Sequence, residues 1–167
     1  MGDTWIAERP TMTSTSVASA PAVRTERRLL WSGLLFGAGV AASVVDLMVF
    51  HLLLQWHHFY DLSTLEVALA ADGIFHAVAW GMTVAGLFLL ADARRRDGVR
   101  WSRWWGAVLV GLGAFQLLDA VVFHKLLGIH QVRYDVGLLP YDLAWIGAAV
   151  VALLIGLAVL WRSRRST

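Results

Sequence analysis

The chain has 167 residues, 58% of them hydrophobic and 16% charged, with a mean hydropathy of +0.62 and a formal net charge of +2. That composition belongs to a membrane protein and excludes an ordinary soluble domain. There is no cysteine, which excludes disulfides, thiolate metal sites and a catalytic thiol.

Residues 1–23 are rich in Ser, Thr, Ala and Pro and show no apolar periodicity. They predict a disordered cytoplasmic tail, which we extend to residue 28. Four apolar runs follow, at 29–54, 64–90, 104–127 and 141–161. Each is long enough to span a bilayer at about 20 residues per helix. The expected fold is therefore all-α: a four-helix transmembrane bundle built from two tandem helix pairs. Its membrane domain covers 29–162, and 163–167 form a second cytoplasmic tail.

The first run lies between Trp31 and Trp56, as interfacial aromatic belts predict. Asp46 then lies about 15 Å below Trp56, and His51 about half as deep. Ser63-Thr64-Leu65-Glu66 is a capping box that starts the second helix near Thr64. Asp72 and His76 follow at i and i+4 on one face of that helix, at depths that bracket Asp46. Gly106, Gly111 and Gly113 let the third helix approach a neighbour closely. Gly128 loosens its last turn, and Pro140 suits the start of the fourth helix.

Arginines are distributed unevenly. Arg24, Arg27 and Arg28 precede the first span; Arg94, Arg95, Arg96, Arg100 and Arg103 fill the link between the second and third; Arg162, Arg164 and Arg165 follow the fourth. The other two connections hold only Arg133, plus Lys125 near a helix end. The positive-inside rule places both termini and the arginine-rich link in the cytoplasm, as expected for a multi-pass protein of a bacterial inner membrane. Because these arginines flank spans, they argue for a lipid bilayer as partner and against nucleic acid.

Two stretches repeat. Residues 46–61 read DLMVFHLLLQWHHFYD and residues 119–135 read DAVVFHKLLGIHQVRYD. A shift of 73 residues lays Asp46 on Asp119, His51 on His124 and His57 on His130. The pattern D-x4-H-x5-H thus ends two long apolar segments, and both halves begin on the same side. On an α-helix the Asp and the second His share a face, whereas the middle His is turned away by about 140°.

Ionisable groups within a span are costly and mark function. Carboxylate and imidazole without sulfur suit a divalent metal such as Zn, Fe or Mn, and facing helices of a bundle can hold two. The candidate ligands are Asp46, His51, His57, Asp72, His76, Asp119, His124 and His130. His58 reads as solvated, since its counterpart is Gln131; Asp61 and Asp135 read as turn or capping residues, and Asp142 stands between helix start and ligand. A metal-free reading also stands, with Asp46 and Asp119 as a buried pair or a proton relay. Haem fits poorly with the carboxylates, and Cu(I) with only Met48 and Met82 in the spans.

The words LLLQWHH, ADGIFHA and HKLLGIHQV, in this order, resemble the integral membrane proteins grouped as domain of unknown function 2243. The resemblance covers roughly 33–161 and implies a small multi-pass bacterial membrane protein; it implies architecture, not an activity. The family's later motif pairs two histidines. Here it reads His130-Gln131, which leaves His130 the better candidate ligand.

The function classes that follow are a metal-dependent oxidoreductase or hydrolase open to the extracytoplasmic side, a metal-ion or proton transport or chaperone protein, and an accessory subunit of a larger membrane complex. A homo-oligomer or a membrane-complex partner fits any of them. The inner halves of the spans offer almost no polar groups beyond Ser32 and Thr83, which weakens a pathway through one chain.

Overall fold

The computed structural model describes residues 20–96 and 98–165, so the region 1–19 of the expected tail lies outside the described residues. Helix α1 (Ala20–Val40) continues directly into a π-helical segment, Ala41–Leu53. Helix α2 (Leu65–Arg96) returns; α3 (Trp101–Leu118) continues into a second π-helical segment, Asp119–Leu126; α4 (Leu138–Arg165) returns again. No strand occurs among the described residues. All four helices are long and apolar enough to cross a membrane. α1 starts ahead of the apolar run and takes in residues 20–28, which composition assigned to the tail.

The helices form a bundle with a central pair. α1 packs against α3, α2 against α1, and α4 against α3. Accordingly 44% of the apolar window is buried in each central span, against 17% in α2 and 11% in α4. The central contact depends on small residues. A Cβ at Gly37 would land on the Val108 carbonyl oxygen, and one at Gly111 on the Leu34 carbonyl oxygen. Only glycine lets the backbones meet this closely.

The arginine-bearing end is closed by packing and ion pairs. Leu29, Ala93, Trp104 and Val108 form an apolar cluster. Trp104 Nε1 donates to Ser32 Oγ at 3.0 Å, and Ser32 Oγ donates to the Gly86 carbonyl at 2.8 Å, linking α3, α1 and α2. Trp104 is thus a core residue, while Trp101 and Trp105 stay exposed. Arg28 meets Asp92 at 2.7 Å, and Arg100 and Arg103 both meet Glu26 at 2.8 Å. These partly exposed pairs orient the helix ends more than they stabilise them.

At the opposite end, α2 begins at Leu65, one residue after Thr64, whose carbonyl accepts the first helical bond from Ala68 at 3.0 Å. The two central helices end in matching ways. Leu54 N–H donates to the Val49 carbonyl (2.9 Å) and Leu127 N–H to the Val122 carbonyl (2.8 Å), the i→i+5 bonds of a π-helix. Trp56 N–H then reaches the Phe50 carbonyl, and Ile129 N–H the Phe123 carbonyl. The residue that turns the chain out of each helix is left-handed: Gln55 at φ 51° and Gly128 at φ 59°. Gly128 therefore stops its helix, more than loosening it.

Candidate metal centre

Helical geometry decides which side chains converge. In an α-helix residues five apart diverge, so the middle histidine of D-x4-H-x5-H was expected to face away. In a π-helix the i→i+5 bond brings such residues one turn apart on one face. Both Asp-x4-His pairs lie inside the π-helical segments, and both close. Asp46 Oδ1 stands 3.5 Å from His51 Nε2, and Asp119 Oδ2 stands 3.1 Å from His124 Nε2. The third member of each set sits beyond the helix, on the loop that the left-handed residue turns inward. His57 Nε2 is 3.6 Å from Asp46 Oδ1, and His130 Nε2 is 3.3 Å from Asp119 Oδ1.

All six side chains are buried: Asp46, Asp119 and His130 are 0% exposed, His51 and His124 1%, His57 3%. The two sets adjoin. The His57 and His130 rings stack with centroids 4.8 Å apart, and His124 lies 4.6 Å from His130 and 6.0 Å from His57. Ligand atoms of Asp46, His51 and His57 all lie within 4.8 Å of one another, as do those of His57, His124 and His130.

These separations are also those expected of donors around one shared ion. In a tetrahedral shell with bonds of about 2.1 Å, neighbouring donors are about 3.4 Å apart. The four Asp–His separations above run from 3.1 to 3.6 Å. Both oxygens of Asp46, both of Asp119, and the Nε2 atoms of His51, His57, His124 and His130 are buried without a hydrogen-bond partner among the described residues. Two buried carboxylates faced only by imidazole rings are expensive while those rings are neutral, and a divalent cation would both neutralise and coordinate them.

The other ring nitrogens fix the tautomers. His57 Nδ1 donates to the Val132 carbonyl at 2.8 Å, and His130 Nδ1 donates to the Phe59 carbonyl at 2.9 Å. The two bonds are exchanged between the halves and related by the same 73-residue shift. His51 Nδ1 donates to Asp72 Oδ1 at 2.9 Å. With Nδ1 carrying the proton, each Nε2 lone pair points to the carboxylates, the usual support for a metal-bound histidine. Burial pushes the His57 imidazole below its ordinary value, against the opposing pull of Asp46, so its neutral form is favoured.

A family model described as a predicted membrane protein, domain of unknown function 2243, matches residues 32–163. The chain belongs to this family. No curated protein and no solved structure matches the chain. The family match contains all six converging residues and every partner that orients them.

Helix α2 contributes differently from what its i, i+4 pair suggests. Asp72, 4% exposed, faces the outer side of His51 and does not join the Nε2 cluster. It is held by three donors: His51 Nδ1 and the Phe59 N–H (2.7 Å) on Oδ1, and His58 Nδ1 (2.7 Å) on Oδ2. His76 does not enter. It is half-buried, and its Nε2 accepts from Trp80 Nε1 at 2.7 Å. His58, which reads as solvated in the sequence, orders Asp72. The adjacent His57-His58 pair was the available signal, since one ring can face the centre only if its neighbour turns to α2.

The remaining acidic residues serve the loops. Asp61 accepts the His58 N–H at 3.1 Å, Asp135 takes a left-handed turn at φ 57°, and Asp142 pairs with Lys125 at 2.6 Å. Gln131 donates from Nε2 to the His124 carbonyl at 3.1 Å, so it supports backbone. The second half lacks an Asp72. At the 73-residue shift Asp72 falls on Trp145, whose ring lies 6.1 Å from that of His124. His124 Nδ1 and Trp145 Nε1 are both buried without a partner among the described residues. The two halves therefore match in their converging residues and differ in the support behind the middle histidine.

Proposed function

We propose that this membrane protein holds one or two divalent metal ions, Zn, Fe or Mn, between Asp46, His51, His57 and Asp119, His124, His130. We read it as a metal-dependent oxidoreductase or hydrolase. The observation that carries the reading is the convergence of two buried carboxylates and four Nε2 atoms that have no hydrogen-bond partner among the described residues. Each half offers two histidines and one carboxylate. That set leaves coordination positions open, as in non-haem iron oxygenases and in zinc hydrolases with two histidines and an acid. A metal held this way supplies a Lewis acid and an activated water or oxygen. The chain's own part is to exclude bulk water by burial and to fix the Nε2 atoms of His51, His57 and His130 through an outer Nδ1–H bond.

Transport through one chain fits less well. Ser32 and Thr83, the polar residues of the inner halves, spend their hydroxyls on the Gly86 and Ala79 carbonyls. The apolar cluster around Trp104 closes that end. The 73-residue correspondence of Asp46, His51 and His57 with Asp119, His124 and His130 supports descent from a duplicated segment, although the second and fourth spans match poorly, with the site shared between the copies. The arginine distribution supports cytoplasmic termini in a bacterial inner membrane, and so a centre near the extracytoplasmic face.

Elemental analysis of protein purified without a histidine tag tests the reading. One to two equivalents of Zn, Fe or Mn are expected, and Asp46→Ala and Asp119→Ala should each lose metal while remaining folded. Protein that takes up none of the three ions in equilibrium dialysis would overturn it. A cysteine placed in the 54–64 link should react with an impermeant thiol reagent added outside intact cells. Labelling only after lysis would reverse the topology.

A further inference from the structure

Beside the histidine cluster, on the α4 side, lies a cavity of about 420 Å³. Val45, Phe50, Leu112 and Val132 give it apolar walls, with Gln116 and Trp145 among them. Ala144 and Ala148, exposed residues on the apolar span of α4, form its outer edge. The cavity thus opens on the flank of the bundle that a bilayer would cover. Its inner end is one ring away from the centre. Phe50 stacks at 6.5 Å on His57, and Trp145 lies 6.1 Å from His124.

Two polar atoms in this lining are buried without a partner among the described residues: Gln116 Oε1 and Trp145 Nε1. Gln116 is only 7% exposed and sits on α3, mid-span. Tyr141, another lining residue, is already engaged, its hydroxyl accepting from Arg133 Nη1 at 2.8 Å. Buried polar groups are almost always paired, so two unpaired ones in one apolar cavity ask for a ligand that pairs them. Their chemistry is complementary. The indole N–H can only donate, and the amide oxygen only accepts. A hydroxyl offers both complements, since it can accept from Trp145 and donate to Gln116.

We propose that this cavity binds an apolar chain ending in a hydroxyl, taken from the bilayer, with the hydroxyl held between Gln116 and Trp145. A long-chain or prenyl alcohol has this form. Binding does not require the metal; in a metal-loaded protein it sets the hydroxyl end of the chain beside the centre.

The test uses fluorotryptophan-labelled full-length protein in nanodiscs, with the Trp145 fluorine resonance assigned by Trp145→Phe. Three probes are titrated: undecanol, its methyl ether and undecane. Undecanol should shift the Trp145 resonance saturably. The ether, which accepts but cannot donate, should bind several-fold more weakly, and undecane about tenfold more weakly or less. Gln116→Leu should erase the preference for the alcohol over the ether, and Ala148→Phe, which fills the outer edge, should abolish the shift. Equal binding of the three probes overturns the proposal, as does a Trp145 resonance that does not saturate. Full preference retained in Gln116→Leu overturns it as well. Metal content measured on the same samples separates this outcome from failure of the metal reading, and a thermal melt of each variant confirms that it is folded.

Discussion

Replacing Asp72 by Asn should weaken one metal position and spare the other. Asp72 touches no ion in the proposed centre. It accepts the Nδ1–H of His51 at 2.9 Å, and its second oxygen takes His58 Nδ1 at 2.7 Å. Asn keeps the volume and one acceptor oxygen but removes the negative charge that makes His51 a stronger donor to metal. Loss of such an outer partner costs about 10–100-fold in metal affinity. That is about 1.4–2.7 kcal/mol. Trp145, its counterpart at the 73-residue shift, has no bond to His124, so Trp145→Phe should change affinity by less than about threefold. Asp72→Ala removes the acceptor altogether and leaves His51, His58 and the Phe59 N–H short of a partner. It should cost about 2–4 kcal/mol of stability in addition. The assay is competition of Zn against a chromophoric chelator with tag-free protein in detergent, alongside a thermal melt. Asp72→Asn should give one unchanged and one weakened binding step, with the melting temperature of the metal-free protein nearly retained. If both steps weaken equally, or neither does, the assignment of Asp72 as the positioning residue of His51 alone is wrong.

Three further outcomes follow from the geometry. His76→Ala should retain the metal, because His76 is bonded to Trp80 and not to the cluster; elemental analysis showing its loss would put α2 inside the coordination shell. Gly128→Ala should destabilise the protein by about 1–2 kcal/mol in a denaturant or thermal titration, since Gly128 holds φ 59° at the helix end and an L side chain is strained there; an unchanged midpoint would contradict that turn. Acid should release the metal. In the metal-free protein burial holds the His57 value below 6.5, so the stability contributed by the neutral ring is present above 6.5 and is lost as pH falls through the lowered value; separately, since ligands must be deprotonated, bound Zn followed downward from pH 7.5 should fall as acid is added, and occupancy independent of pH down to 5 would argue against imidazole ligation.

The membrane class, the four spans and the start of α2 after Thr64 are legible in the sequence, and the six converging residues stand among its eight candidate ligands, with Asp72 and His76 not set apart from them. Those features are local. Span length, capping chemistry and apolar runs are set by neighbours along the chain, and the doubled D-x4-H-x5-H pattern is visible without a fold. Where each polar side chain points depends on packing. An α-helical reading turns His51 and His124 away, and only the switch to π-helical geometry brings each one turn from its aspartate. Whether Asp72 faces the centre or the back of His51 depends on how α2 packs against α1, and the i, i+4 spacing with His76 carries no information on it. The tautomers of His57 and His130 rest on the carbonyls of Val132 and Phe59, backbone groups that every residue possesses and that no sequence pattern marks. The inequivalence of the halves, Asp72 against Trp145, is present in the sequence as a mismatch at the 73-residue shift. It acquires meaning only once packing sets each of them behind its histidine, because ligand support is a matter of distance in space and not of spacing along the chain.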